Sequence, residues 1–168
     1  MVKSIFTALI GMPTVALGLI LYLLYSSSGP LGPLHLLFTP SGIIIGQAVL
    51  ITPIIVSFTV SALESVDPEI KDLARTLGAS EGSASLAVLG EAKKGATLAV
   101  VAAFNRAIAE LGVALAIGRA IYGYTQVLTT AISQAVARGE VMLGIELMVV
   151  LLAIVFSLTL LVNLLRRD

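Results

Sequence analysis

Arg106 and Glu110 are the two residues whose types and spacing most suggest chemistry. Both are ionisable, yet they stand within residues 95–117, an otherwise apolar stretch long enough to cross a bilayer as a helix. Ionisable side chains at that depth are costly, so they face a bundle interior or a water-filled path. At i and i+4 they share a helix face and can pair. The pair is therefore predicted to line a translocation path or its gate, or else to be a structural ion pair that locks helix packing.

Three further residues are candidates for the same path. Gly112 follows the pair and would permit close helix approach, whereas Gly118 is interpreted as a spacer. Residues 127–138 carry an apolar stripe and a polar stripe at helical spacing, which predicts a short amphipathic helix at the outer mouth. The hydroxyls of Thr129 and Thr130 lie on the polar stripe. They could line the entry path, or form a face that is only exposed to water.

The sequence lacks several residue patterns that other functions would need, and their absence limits the possible classes of function. It contains no cysteine, its single histidine has no ligand neighbours, and no Ser/His/Asp set or carboxylate dyad stands out. No GxxxxGK[ST] motif is present, so no nucleotide site is expected. The formal net charge is zero, which argues against nucleic acid as a partner. We therefore expect no enzymatic activity, no metal and no cofactor.

The elements that must position these residues are those of a membrane protein. The chain is 58% hydrophobic and 12% charged, whereas about a quarter of the residues of soluble domains are charged. Four segments are apolar and long enough to span a bilayer, with kinks expected at Pro13 and Pro53. These predicted spans are residues 4–25, 42–63, 95–117 and 141–165. The first is too long for a signal-peptide core and is expected to be retained. The predicted fold class is an all-α, polytopic helical bundle.

The distribution of positive charge predicts the orientation of the four spans. Four spans place Lys3, the polar loop 64–94 and the C-terminal arginines on one side of the membrane. That side carries seven of the ten Lys and Arg residues. The outer loops, residues 26–41 and 118–140, carry only two. The positive-inside rule then puts loop 64–94 and the C-terminus in the cytoplasm, in a chain that crosses the cell membrane several times.

Loop 64–94 has helix signals of its own. Asp67 can cap a helix whose first position is Pro68, and Gly78 stands where a left-handed C-terminal residue is wanted. Between them one apolar stripe repeats at helical spacing. That stripe consists of Ile70, Leu73, Ala74 and Leu77. A second short helix is predicted over residues 80–89, ended by one of the two glycines that follow it. The loop is either a shaped docking surface or a solvated tether between spans.

The same stretch resembles the EAA loop of ABC importer permeases, which reads E-A-A, three residues, G, nine residues, I, one residue, L-P. The positions that carry the resemblance are Asp72, Leu73, Ala74, Gly78 and Val88. Leu73 replaces the first alanine, and Gly90 and Glu91 stand where Leu-Pro belongs, so the first half of the motif matches better than the second. The resemblance extends over the chain. Residues 11–40, 104–112 and 121–132 are most similar to the tungstate-type permeases, relatives of the molybdate permeases.

The resemblance implies a type I ABC importer permease fold, with about four transmembrane helices in this chain and about two more at the N-terminus of most family members. It implies that the EAA-like positions form an ATPase-coupling loop. Two copies would form a homodimer, separate ABC subunits would hydrolyse ATP, and an extracytoplasmic binding protein would deliver the oxyanion. Tungstate is the substrate expected first, with molybdate or a sulfate-type anion as the alternative.

Two other classes of protein are kept as alternatives. A secondary transporter would draw on ion gradients and should show broken helices in repeated halves. No internal repeat is visible in the sequence. A membrane remnant that does not transport is the other alternative, because the resemblance leaves the N-terminal spans of the family unmatched.

Overall fold

The computed structural model describes residues 2–165, and the side chains of residues 3–164. These described residues form eight α-helices and one 3-10 turn, Gly32–Leu34, and no β-strand. The helices are α1 Val2–Ile10, α2 Thr14–Tyr25, α3 Pro40–Glu64, α4 Pro68–Thr76, α5 Glu81–Ile108, α6 Gly112–Gly118, α7 Leu128–Ala137 and α8 Val141–Leu165. The predicted all-α class is confirmed. The C-terminal Arg166 and Arg167, which entered the predicted orientation, lie outside the described residues.

Two of these helices, α3 and α8, are each long and apolar enough to cross a membrane. Two pairs, α1 with α2 and α5 with α6, meet the same criterion together, each pair being interrupted by a short bent break. The break before α2 falls at Pro13, which lacks an amide hydrogen and clashes with the preceding turn. Pro53, by contrast, lies inside the continuous α3. The apolar helices thus fit a polytopic membrane protein with two to four spans.

The prediction of a separate second helix in loop 64–94 is wrong. The segment from Glu81 onward is the start of α5, which runs without interruption past Gly90 and Gly95. A glycine inside a helix costs only about 1 kcal/mol relative to alanine, so it need not end one. Gly95 also has a packing role, because a Cβ placed there would lie 2.4 Å from the Cβ of Ala62.

The described chain divides into two compact units, and the first contains Met1–Ile10 and Thr52–Ala103. Its buried residues on α5 are small, namely Ala84, Ala92, Ala99 and Ala103. Small residues let helix backbones approach closely, which is how helices associate where water supplies no hydrophobic driving force. Lys3 also forms an ion pair with Glu64 in this unit.

The second unit contains Gly11–Ile51 and Phe104–Asp168. Its core is a buried cluster of Leu17, Leu21, Tyr25, Ile43, Leu50, Val113, Ala114 and Ile117. Helices α2 and α6 pack against each other, and α7 packs against α8. The interpretation of Gly118 as a spacer is wrong, since a Cβ there would lie 2.6 Å from Ile43 Cδ1. Glycine at that position allows α6 to pack closely against the side chain from α3.

Candidate functional site

The predicted pair Arg106 and Glu110 forms at the break between α5 and α6. Arg106 lies in the last turn of α5, and its Nη1 donates a 2.7 Å hydrogen bond to Glu110 Oε2. Glu110 is past the end of that helix, so the two residues do not share a helix face as the sequence predicted. The Glu110 side chain is 2% exposed, whereas that of Arg106 is 37% exposed. The carboxylate is therefore the buried member of the pair.

Glu110 has further partners that the sequence did not predict. Its Oε1 accepts a 3.0 Å hydrogen bond from the amide of Val113, in the first turn of α6. The first amides of a helix lack partners within the helix, and a carboxylate suits the positive end of the helix dipole. The Glu110 carbonyl in turn accepts a 2.6 Å hydrogen bond from Thr129. One residue thus closes the end of α5, caps α6 and contacts α7.

A cavity of about 430 Å³ adjoins this break. It is lined by Gln47, Phe104, Ala107, Ile108, Glu110, Val127 and Leu128. Gln47 Nε2 donates to the carbonyl of Ala107 over 3.4 Å. The walls are mainly apolar, and Glu110 has its charge balanced by Arg106.

Gly112 begins α6 where that helix meets the start of α2. A Cβ at Gly112 would lie 2.8 Å from Thr14 Oγ1 and 3.0 Å from the amide nitrogen of Val15. Gly18 makes a matching approach from α2, with its added Cβ 2.8 Å from the Cβ of Ala116. The predicted close helix approach at Gly112 is confirmed, and it fixes α6 beside the Arg106–Glu110 pair.

Thr129 and Thr130 are not on a wet face, and that expectation is wrong. Thr129 is 8% exposed and Thr130 is 0% exposed. Thr129 donates to the carbonyl of Glu110, while Thr130 donates to the carbonyl of Val127 and accepts from its amide, both over 2.9 Å. A threonine hydroxyl that bonds the local backbone can be buried like an apolar group. The helical pattern of residues 127–138 could not show this, because threonine scores as polar whichever way it is used.

The second candidate site is α4, whose two ends form as predicted. The Asp67 carboxylate accepts a 2.9 Å hydrogen bond from the amide of Glu69, and Pro68 is the first helical residue. Gly78 has φ +88°, its amide donates to Arg75 O over 2.9 Å, and the amide of Ala79 donates to Ala74 O over 3.0 Å. This pair of bonds is a Schellman motif, which ends α4 and turns the chain sharply.

Helix α4 is only partly covered by the rest of its unit, with Ile70, Lys71 and Ala74 half-buried. None of its residues is buried. Leu73 is 60% exposed and Leu77 is 80% exposed. Asp72 and Ala74 lie on the same short helix, whereas Val88 is half-buried on α5. The five residues that matched the EAA pattern are therefore split between α4, its C-terminal turn and the first part of α5.

Arg75 and Glu81 connect α4 to α5, a link that was not predicted from the sequence. Arg75 Nε donates to Glu81 Oε1 over 2.7 Å, and Arg75 Nη1 donates to Asp72 Oδ1 over 2.9 Å. The Arg75 guanidinium holds the pKa of Glu81 below its ordinary value, and Lys71 at 3.6 Å acts in the same direction. Glu81 and Asp72 in turn raise the pKa of Arg75. The sequence did carry a signal for this link, namely the acidic Glu81 six positions after the basic Arg75, with Gly78 between them.

Metal binding was not expected from the sequence. Among the residues that the structure describes, no group of three or more His, Asp or Glu side chains is arranged to hold a metal ion.

The long apolar helices are those of a multi-pass membrane protein. A family model described as "Binding-protein-dependent transport system inner membrane component" matches residues 1–167, and the chain belongs to this family. It is therefore the membrane permease component of a binding-protein-dependent ABC importer, a class that works with an ATPase and a binding protein.

Three curated relatives are similar over most of the chain. A "Probable anion ABC transporter permease protein" from Haloferax volcanii is 39% identical over 164 residues, which cover 92% of this chain and 71% of the relative. A "Tungstate uptake system permease protein TupB" from Campylobacter jejuni is 37% identical, covering 99% and 70% respectively. The protein of the same name from Peptoclostridium acidaminophilum is 33% identical, covering 99% and 73%.

Proposed function

We propose that this permease translocates tungstate into the cell, with molybdate as the nearest alternative substrate. The observation that carries the proposal is the similarity to two tungstate uptake permeases, each covering 99% of this chain. A third relative is named for anion transport in general, which is consistent with the same class of substrate. A sulfate-type anion is the more distant alternative.

The second part of the proposal assigns α4 and its flanks to ATPase coupling. Asp72, Leu73, Ala74, Gly78 and Val88 are the proposed contact positions for the ABC subunit. The exposed apolar side chains of Leu73 and of Leu77, just after the end of α4, support this assignment. The positive-inside rule puts this surface, residues 64–94 as a whole and the C-terminus in the cytoplasm.

The translocation path is proposed to run beside the break between α5 and α6. Arg106 and Glu110 form its charged wall, and Gly112 keeps that wall close to α2. Thr129 and Thr130 act indirectly, because the Thr129 hydroxyl holds the Glu110 carbonyl and the Thr130 hydroxyl bonds the backbone of Val127 at the start of α7. Because the charges of Arg106 and Glu110 cancel, this pair lets an anion pass without retaining it. Substrate selection is then left to the binding protein.

A second copy of the chain is proposed to complete the path as a homodimer. The most apolar stretch of α8 is unburied within the chain, so lipid or a partner copy must cover it. Crosslinking of a single cysteine pair across two tagged copies in membranes would reveal the dimer, and strictly monomeric chains in membranes would contradict it.

The substrate is tested by uptake in bacterial cells that lack their own tungstate and molybdate importers. The cells express the permease with its ATPase and binding-protein partners, and accumulated metal is measured at fixed tungstate with rising competitor. We expect molybdate to compete weakly and sulfate least. Preferred uptake of molybdate would replace tungstate as the assigned substrate. Uptake that survives ATP depletion but stops when ion gradients collapse would support a secondary transporter instead.

The coupling surface is tested by Gly78→Asp. Gly139 is a matched control, since it also ends a helix with a Schellman motif, with φ +79° and no atom within 4 Å of an added Cβ. Both substitutions strain the same backbone conformation. We expect Gly78→Asp to abolish co-purification of the ATPase and Gly139→Asp to retain it. Equal retention by both variants would contradict the docking assignment.

A further inference from the structure

The loop that follows α6 presents two tyrosines to solvent. Tyr122 is 88% exposed, Tyr124 is 57% exposed and the adjacent Ile121 is 41% exposed. Isolated apolar residues on a surface need no explanation, but three within four positions form a patch of the kind that marks an interaction site. We call residues 119–124 the Tyr122 loop. The proposed orientation places it on the outer side of the membrane.

Hydrogen bonds at its base hold the loop in one conformation. The buried Thr125 hydroxyl donates to Gly118 O over 2.5 Å and accepts from the amide of Ile121 over 3.0 Å. Gln134 Nε2, on α7, donates to Ala120 O over 3.1 Å. A loop that is ordered before binding loses little conformational entropy when a partner binds, which suits it for docking.

Arg119 begins the loop in a strained conformation. It has φ +62° and Ala120 has φ +50°, both in the left-handed region that favours glycine. Strained backbone of this kind is found at functional sites. The Arg119 guanidinium lies 5.5 Å from the ring centroid of Phe38 and has no hydrogen bond or ion pair among the residues that the structure describes. It is therefore a positive charge that is held in place with its donors free.

The composition of the loop indicates a protein partner with negative charge. Tyrosine and arginine are enriched among the residues that dominate the binding energy of protein interfaces. The two outer loops, residues 26–41 and 118–140, contain Arg119, Arg138 and one acidic residue, Glu140. Two positive charges and one negative charge give these loops a net charge of +1. A surface of this sign is complementary to an acidic one.

The position of the loop favours a protein partner over lipid headgroups. Helix α6, which the loop extends, packs against α2, and residues of both helices form the buried core of their unit. The most apolar stretch of α8, by contrast, is unburied. Phe38, which contacts Arg119, also meets Tyr22 of α2 with 6.3 Å between the ring centroids. The loop is thus attached to the packed helices of the unit and not to the unburied one.

We propose that the Tyr122 loop docks the substrate-binding protein of the importer through an acidic surface on that protein. The inference rests on the proposed function for the orientation of the chain and for the anion, whereas dependence on a binding protein belongs to the family. The tyrosine rings provide apolar contact area, and the Arg119 guanidinium pairs with a carboxylate of the partner. The bound protein is then held at the outer end of α6, the short helix whose other end is capped by Glu110.

Docking is tested by binding of the tungstate-loaded binding protein to the permease–ATPase complex in phosphatidylcholine nanodiscs. Tyr122→Ala should weaken binding about tenfold, a common effect of truncating a central interface tyrosine. Its thermal midpoint should be unchanged, because the side chain is exposed. Gly123→Ala should also weaken binding, since Gly123 has φ +70° within the loop. Gly139→Ala is the matched control that should bind normally, because Gly139 has φ +79° and both glycines have open space around them.

The contribution of charge is tested at Arg119. Arg119→Ala should slow association about threefold at low salt and flatten its salt dependence, because interface charges act mainly on the association rate. Arg119→Lys keeps the charge and should restore most of both. Alanine and lysine share the backbone strain of arginine at this φ, so the two variants differ in charge and not in loop geometry. Arg138→Ala removes the other outer arginine and should leave the salt dependence nearly unchanged.

Three results would overturn the proposal. The first is docking that is equal in the unsubstituted complex, Tyr122→Ala and Gly123→Ala, or absent from all three. The second concerns Tyr122→Trp, which introduces the chain's first tryptophan. Quenching of its fluorescence by brominated phosphatidylcholine, in proteoliposomes of the permease alone, would assign the loop to the bilayer surface. The third is conversion of a permease dimer into monomers by Tyr122→Ala, which would assign the loop to the contact between two copies.

The failure of this inference differs from failure of the proposed function. Tyr122→Cys introduces the chain's first cysteine, and its reaction with a membrane-impermeant maleimide in intact cells reports the side of the membrane. Without that reaction the proposed orientation fails. If the label reacts and uptake is normal, but docking does not depend on Tyr122, the docking assignment alone fails. If cells take up no tungstate, the substrate proposal fails, while docking of the anion-free binding protein still reports on the loop.

Discussion

Two arginine–glutamate pairs in this chain have the same short contact but opposite surroundings. Arg75 and Glu81 meet at 2.7 Å on an exposed surface, where the glutamate side chain is 69% exposed. Arg106 and Glu110 also meet at 2.7 Å, but the glutamate side chain is 2% exposed. Exposed pairs add little stability, because water and salt screen both charges. A buried charge that loses its partner is strongly destabilising. The two distances therefore do not predict which pair contributes more to stability, whereas the exposed fractions of the two glutamates do.

The contrast matches the role proposed for each region. The pair on α4 can be broken and remade at low cost, which suits a surface that must adapt to a partner. The pair at the helix break fixes a backbone joint, because Glu110 also caps α6 and is held by Thr129.

Arg106→Ala is expected to give the largest loss of stability. It leaves the buried Glu110 carboxylate without its cation, which destabilises a protein by about 3–5 kcal/mol. Denaturant or thermal unfolding of the purified chain in detergent measures the loss, and expression in membranes should fall with it. Arg75→Ala is the matched control and should cause a far smaller change. Normal expression and transport by Arg106→Ala would contradict both the path interpretation and the structural interpretation of this pair.

Gly112→Ala should be the next most damaging change. The added methyl group would lie 3.0 Å from the backbone nitrogen of Val15, which cannot move as a side-chain tip can. Overpacking of this kind costs about 1–3 kcal/mol. Gly90→Ala is the control, since Gly90 is a helical glycine with open space around it, and a gain of about 0.5–1 kcal/mol is expected there. If the two substitutions shift the unfolding midpoint equally, the close approach of α6 to α2 is not important.

Thr129→Val should have a smaller effect of about 1 kcal/mol, because it removes one hydrogen bond to the Glu110 carbonyl and keeps the shape of the side chain. Unfolding in detergent measures it. Thr97→Val is a suitable comparison, since the exposed hydroxyl of Thr97 bonds only to Lys93 O in its own helix. A larger loss from Thr97→Val would show that Thr129 does not support the joint.

The smallest effect is expected from the exposed pair, and it depends on pH. The pKa of Glu81 is lowered in the folded protein. Its contribution is therefore complete above the unfolded carboxyl pKa of about 4.3 and is lost as pH falls through the lower folded value. The chain has no cysteine, so Leu77→Cys provides a unique attachment point for a spin label. We expect the mobility of the label to rise only in acid or high salt, and to depend less on pH after Glu81→Gln, which leaves only the Asp72 carboxylate on Arg75.

The limits of α4 could be predicted from the sequence because they depend on local chemistry. Asp67, Pro68 and Gly78 each act within a few residues of the chain, and the structure shows the cap, the first turn and the left-handed end as expected. The break after Ile108 could not be predicted in this way. No proline stands there, and the break depends on bonds from Glu110 to Val113 and Thr129 that only the folded chain brings together.

Burial was the least predictable property of the candidate site. In a membrane protein both lipid-facing and core-facing residues are apolar, so hydrophobic periodicity does not separate them. Thr130 is fully buried although it lies on the polar stripe, and Gly118 packs against Ile43 although its spacing gave no sign of it. The family resemblance supplied the class of transporter, whereas these contacts follow only from the structure.

The proposed coupling surface is tested most directly by tungstate uptake in cells that carry Gly78→Asp or Gly139→Asp, each with the ATPase and the binding protein. Uptake and membrane abundance of each variant are measured together. We expect Gly78→Asp to be present in the membrane but to take up no tungstate, while Gly139→Asp retains uptake. Uptake by Gly78→Asp at the level of the unsubstituted chain would contradict the proposed coupling surface.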